Sequence, residues 1–228
     1  MTSTNTVMPM AQPVSSFKMI RTVAGVSIMS GFMILAVVKA TEARIENNKR
    51  VALADAVMAV LPDADTNKTF EVTGDGFRLV DTPVPGADRV YAGYDAEGRF
   101  VGAAFEAAAQ GYQDVVRTLF GYSPERDCII GFKVLESKET PGLGDRIGKD
   151  AEFLANFDGL DVALGADQTA LAHAIAFVKR GEKTNPWEID GITGATISSR
   201  AVAKMANERS QQVVPFIKRH LDQLKEGT

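Results

Sequence analysis

The sequence predicts an α+β domain with antiparallel strands and flanking helices, preceded by one N-terminal transmembrane helix. Three observations carry this reading. An uncharged apolar run near the start is long enough to span a bilayer, the chain after it holds two hairpin-like pairs of segments with no repeating strand-helix-strand pattern, and a long helical stretch closes the chain.

The apolar run is Thr22 to Val38, 17 residues without a charge, with Lys18 and Arg21 before it and Lys39 after it. At 1.5 Å per residue it covers about 25 Å, short of a hydrocarbon core of roughly 30 Å. Snorkelling by the flanking cations, with Phe17, Met19 and Ile20 adding apolar length, closes the gap. A buried core helix would not be apolar on every face. A cleaved signal peptide would need a small residue where Val38-Lys39-Ala40 places a lysine. Residues 18–40 are therefore assigned to the anchor, and the charge-poor residues 1–17 to a disordered cytoplasmic tail. Lys39, Arg44, Lys49 and Arg50 on the C-terminal side outnumber Lys18 and Arg21, so the positive-inside count taken literally places the C-terminal side inside; long domains translocate largely regardless of such counts, and charge alone does not orient the span.

Residues 41–62 read as a linking amphipathic helix, with Val51, Leu53, Ala54, Val57, Met58 and Leu61 at helical spacings and Pro62 as its stop. Residues 63–228 form the globular domain. From Phe70 the period shifts toward strands: Arg89 to Tyr94 and Arg99 to Phe105 flank a turn at Asp95-Ala96-Glu97-Gly98. A second hairpin pairs Asp114 to Phe120 with Cys128 to Glu136, with Gly121, Ser123, Pro124 and Asp127 as turn residues. Asp150 to Phe157 reads as a short helix, Ala174 to Lys179 as a strand, and Ser199 to Leu224 as the closing helix.

Composition removes several function classes. A formal charge of −4 and a pI near 5.3 leave no basic stripe for nucleic acid. The single cysteine, Cys128, sits in the apolar run Cys128-Ile129-Ile130 and reads as a small buried hydrophobe; it supports neither an internal disulfide nor an iron-sulfur cluster. His173 and His220 have no metal-ligand spacing, so no metal is expected. No G-x-G-x-x-G follows a strand.

The segment Asp190-Gly191-Ile192-Thr193-Gly194-Ala195-Thr196-Ile197-Ser198-Ser199 leads small and hydroxyl residues directly into the closing helix. A helix start offers free N–H groups and a positive dipole end to a phosphate, and Gly191, Gly194 and Ala195 leave room for close approach. Thr196 places a hydroxyl there. Read as local structure alone, the same segment is a loop whose Ser198 or Ser199 caps the helix.

The segment resembles the flavinylation motif of the FMN-binding domain family, in which Asp190, Gly191, Thr193, Gly194, Ala195 and Thr196 fill every position. The stretch Glu139-Thr140-Pro141-Gly142-Leu143-Gly144 is similar to that family's second hallmark, a loop lining the flavin pocket, and Gly111-Tyr112 also matches. The resemblance spans roughly residues 18 to 220 and is closest to the RnfG family (also called RsxG) of Rnf ion-translocating electron-transport complexes, with the related NqrC subunits of sodium-translocating NADH:quinone oxidoreductases as the alternative. A membrane flavoprotein with a sensory or structural role is a further alternative.

The resemblance implies FMN held covalently on Thr196 through a phosphoester, with Ala195, Gly194, Thr193, Ile197, Glu139, Thr140, Leu143, Gly144 and Tyr112 around it. It implies an electron-relay subunit of a ferredoxin:NAD oxidoreductase that turns over no substrate of its own. Its implied partners are the integral membrane flavin-carrying and iron-sulfur subunits, the membrane lipid, and a flavin transferase of the ApbE type that uses FAD, releases AMP and recognises Asp190 and Gly191. The implied location is the cell inner membrane, with the C-terminal domain on the periplasmic side. The polar insertion Gly181 to Trp187 departs from the family pattern; its Trp187 is expected either beside the flavin ring or, as lone tryptophans more often are, in the core or an interface.

Overall fold

The computed structural model describes residues 15–81, 84 and 86–227. The predicted tail at 1–17 lies outside the described residues as far as residue 14, and from Ser16 the chain is helical. Helix α1, Ser16–Val60, is one uninterrupted helix of 45 residues, running through both the predicted anchor and the predicted linking helix. By its internal contacts the chain divides into two compact units, Met1–Arg50 and Val51–Thr228. In the first, the most apolar eighteen-residue window of α1 is entirely unburied, and the helix is long and apolar enough to cross a membrane.

The second unit is built on a sheet. Strands β1 Thr66–Thr73, β2 Gly76–Leu79, β3 Arg89–Tyr94, β4 Phe100–Gln110, β5 Val115–Ser123, β6 Cys128–Glu136 and β7 Leu160–Asp161 lie in the order β2-β1-β3-β4-β5-β6-β7. Every neighbouring pair in it is antiparallel. The period-two alternation of a strand sends successive side chains to opposite faces, so both faces need cover. Val90, Phe105 and Phe120 point into the larger core, which is closed by Val202, Val213, Val214 and Ile217 of helix α3, Thr196–Arg219. Their neighbours Tyr91, Ala104 and Leu119 point the other way, onto Ala56, Val57, Val60 and Leu61 at the end of α1.

After β6 come a 3₁₀ turn at Gly144–Gly148, helix α2 Ala151–Leu154 capped by the Asp150 carboxylate, and a 3₁₀ turn at Ala155–Phe157. Strands β8 Ala176–Val178 and β9 Glu188–Asp190 form a small parallel pair, which the antiparallel expectation did not include. The insertion 181–187 is the connection between them. Helix α4, Leu221–Glu226, ends the described chain.

The second hairpin needs one correction. Gly121 and Ser123 are not turn residues, because β5 runs on to Ser123 and the turn is confined to the residues between Ser123 and Cys128. Gly121 pairs with Gly131 across β5 and β6, and the backbone of Val60 lies directly on both. A Cβ on Gly131 would come within 2.6 Å of the Val60 Cα. Glycine serves there to let a helix backbone touch the sheet, not to turn the chain.

Candidate functional site

Helix α3 begins at Thr196, three residues before the sequence suggested. Its N-cap position, Ala195, supplies no side-chain cap. Ser198 and Ser199 do not cap it either, since both already lie inside the first turn. The Ala195 N–H donates to the Ile192 carbonyl and the Ser199 N–H to the Ala195 carbonyl. The N–H groups of Thr196, Ile197 and Ser198 are left facing out of the helix start, among the described residues, with the positive end of the helix dipole behind them.

The loop before this helix is tied from below. The hydroxyl of Ser199, which is fully buried, accepts from the Ile192 N–H at 3.2 Å and donates to the Ala195 carbonyl at 2.9 Å. Arg146 donates from Nη1 to the Thr193 carbonyl at 3.1 Å and from Nη2 to Asp150 Oδ2 at 2.6 Å. Burial opposes ionisation of Asp150, but the Phe153 N–H together with Arg146 and Arg180 holds its carboxyl below the usual range. Gly194 turns the chain at φ +85°, and a Cβ there would meet nothing within 4 Å, so its surroundings are open to a ligand.

These constraints leave Thr196 exposed, and its hydroxyl makes no hydrogen bond among the described residues. It borders a cleft of about 320 Å³ lined by Tyr112, Glu139, Thr140, Leu143, Gly144, Gly194, Ala195, Thr196, Ile197 and Ser198. That volume is at the lower end of small-molecule sites, which run roughly 300–1,000 Å³. Tyr112, Leu143 and Ile197 stand 70%, 53% and 52% exposed around it. An apolar rim of that kind suits a flat aromatic ring, and an unpaired hydroxyl beside free N–H groups suits a phosphate.

The structure thus brings together residues drawn from three stretches of sequence. Of those the sequence singled out, Thr193, Asp190 and Gly191 stand outside the cleft lining. The Asp190 carboxylate accepts from the Gly181 N–H at 2.8 Å, and the Asp190 backbone pairs with the Asn156 side chain at 3.0 and 3.1 Å. Gly191 donates to the Val178 carbonyl at 3.0 Å and lies against the Phe177 ring. Asp190 and Gly191 thus tie the loop to the segments behind it, while Thr193 is exposed and is held through its carbonyl by Arg146. Trp187 is not in the cleft: it is half-buried and stacks on His173 with ring centroids 3.8 Å apart. Cys128 is buried, and that burial raises its thiol pKa.

Two members of the site escaped the sequence reading. Ser198 lines the cleft and donates its hydroxyl to Glu139, and Arg146 anchors the loop. Neither has a local signature, because the Ser198–Glu139 contact joins residues 59 apart in sequence and the Arg146–Thr193 contact residues 47 apart. A larger cleft of about 420 Å³ lies elsewhere, against Asp88, Arg89, Glu106 and Arg117. Of its charged residues, Arg117 pairs with Glu106 at 3.0 Å and Asp88 with Arg209 of helix α3, and no helix begins among its lining residues.

Comparison with known proteins converges on the same region. The FMN-binding domain family matches residues 111–210. The G subunit of an ion-translocating oxidoreductase complex from Methanosarcina acetivorans is 32% identical over 186 residues, covering 81% of this chain and 87% of that protein. The G subunit of a proton-translocating ferredoxin:NAD(+) oxidoreductase complex from Clostridium ljungdahlii is 34% identical over 110 residues, covering 48% and 52%. Among solved structures, NqrC of Shewanella oneidensis superposes with a TM-score of 0.60 at 18% identity, covering 79% of this chain and 99% of that one.

Proposed function

The chain belongs to the G-subunit family of ion-translocating oxidoreductase complexes, and from that premise we propose that it is the electron-relay subunit of an Rnf-type ferredoxin:NAD oxidoreductase, carrying FMN as a phosphoester of Thr196. The observation that carries the attachment is the exposed, unpaired Thr196 hydroxyl at the first turn of α3, where three backbone N–H groups and the dipole end favour a phosphate. The shared fold with NqrC does not by itself separate the two complexes. Identity over most of the length of the Methanosarcina protein favours the Rnf reading.

When bound, FMN supplies transfer of electrons singly or in pairs, which no side chain in the cleft provides. The chain's own residues do the rest. The N–H groups of Thr196, Ile197 and Ser198 hold the negative charge of the phosphoester at the helix start. Tyr112, Leu143 and Ile197 offer apolar surface to the ring system and exclude water from it. Asp190 and Gly191 hold the loop in the shape a flavin transferase of the ApbE type would recognise. The exposed helix of the first unit anchors the chain in the inner membrane beside the integral flavin-carrying and iron-sulfur subunits, with the cleft-bearing unit on the periplasmic side.

The test is direct. The chain is co-expressed with a flavin transferase and resolved on a denaturing gel; the wild type is expected to fluoresce as a flavoprotein and Thr196→Ala to be dark. Fluorescence of equal strength in Thr196→Ala would overturn the assignment.

A further inference from the structure

We propose that Glu139 is a positioning residue, a latch joining the three walls of the cleft so that a flavin tethered at Thr196 stays inside it. The inference rests on the flavin reading above and goes beyond it, because a phosphoester fixes only one end of the group. Several rotatable bonds separate a phosphate from the ring of FMN. Covalent attachment therefore prevents loss of the ring without orienting it, and electron transfer needs it oriented.

The walls are the Gly111–Gln113 turn that carries Tyr112, the Thr140–Gly144 loop that carries Leu143, and the first turn of α3. The first two are joined by the Thr140 hydroxyl, which meets the Gln113 side chain at 3.2 Å, and the segments beside them by Lys138, which pairs with Asp114 at 2.6 Å. Of the residues making these links, only Glu139 also reaches the helix. Its Oε1 accepts from the Gln113 N–H at 2.9 Å, and its Oε2 accepts from the Ser198 hydroxyl.

Glu139 is 6% exposed and forms no ion pair among the described residues, so its bonding capacity is directed at these walls. The packing around it has been cleared to let them close. A Cβ on Gly144 would lie 2.8 Å from both the Glu139 Cβ and the Ser198 Oγ, and one on Gly111 would lie 2.5 Å from Glu139 Oε1. Helix α3 also lacks a side-chain cap of its own, and the Glu139 carboxyl meets its third residue, Ser198, from outside the helix.

The experiment reads the fluorescence anisotropy of the attached flavin in the full chain, in detergent, beside its melting temperature. Wild type is expected to show an immobilised flavin. Glu139→Ala should lose anisotropy toward the value of the denatured, still flavinylated chain, at a temperature where it remains folded. Glu139→Gln should restore it, because the amide oxygen can accept from Gln113 while the amide N–H donates to a rotated Ser198 hydroxyl. Should Glu139→Ala fail to fold, Ser198→Ala, which breaks only the helix-side bond, is expected to give an intermediate anisotropy. Gly131→Ala, placed under α1 and away from the cleft, should lower the melting temperature and leave anisotropy unchanged.

A folded Glu139→Ala chain with wild-type anisotropy would overturn the latch, and so would Glu139→Gln behaving like Glu139→Ala. A wild-type chain with no attached flavin would instead sink the flavin reading itself.

Discussion

At the scale of single residues, the site depends on hydroxyls used in opposite ways. Thr196 is left free, while Ser199 is consumed two bonds deep beneath it. Ser199→Ala would strand the Ile192 N–H in a buried place, at a cost of about 1–3 kcal/mol. Denaturant unfolding should register that cost, with flavin attachment slowed because the loop before Thr196 loses its floor. A second residue-scale prediction concerns the 181–187 connection. The Thr184 N–H, followed by the Asn185 side chain and N–H, holds the Glu188 carboxyl down to about 2 from an ordinary value of 4.5. Because the folded value is the lower one, the stabilisation is complete above pH 4.5 and is lost as pH falls toward 2. Trp187, the last residue of this connection and stacked on His173, should report the loss as a fluorescence step in that range, absent from Glu188→Gln. An identical step in Glu188→Gln would assign it to another group.

At the scale of elements, the sheet is covered on both faces, and the cover from α1 depends on backbone contact. Gly131→Ala should cost roughly 1–3 kcal/mol by overpacking against Val60, seen as a lower unfolding midpoint. An unchanged midpoint would mean that α1 rides higher on the sheet than described. The same contact explains what the sequence left illegible. Strands β3 and β6 fall where alternation placed them, at Arg89–Tyr94 and Cys128–Glu136, because their periodicity is written in consecutive residues. Gly121 looked like a turn because glycine commonly is one. Its reason for being glycine is Val60, which is distant in sequence and next to it in space. The start of α3 departs from the sequence expectation for a related reason: Ser198 and Ser199 look like caps, but their hydroxyls are claimed by Glu139 on another segment and by Ala195 and Ile192 in the preceding loop. Residues that touch the cleft through a motif were legible from sequence, whereas Arg146 and Ser198, which act through tertiary contacts, were not.

At the scale of the whole molecule, the described part of one unit is a single helix whose apolar window is unburied, and the other unit holds both hydrophobic clusters. A chain reduced to residues 51–228 is therefore expected to stay soluble without detergent and to melt cooperatively, while the full chain partitions into membranes. Aggregation of the shortened chain would show that the first unit contributes to the fold. Electron relay by this chain depends on Thr196 carrying the phosphate of FMN at the start of α3. Its most direct test is mass spectrometry of the chain isolated from a host with an active flavin transferase, followed through the peptide that contains Thr196. That peptide is expected to be heavier by one FMN less one water, with the added mass localised to Thr196; an unmodified peptide, or the same mass on another residue, would contradict the attachment.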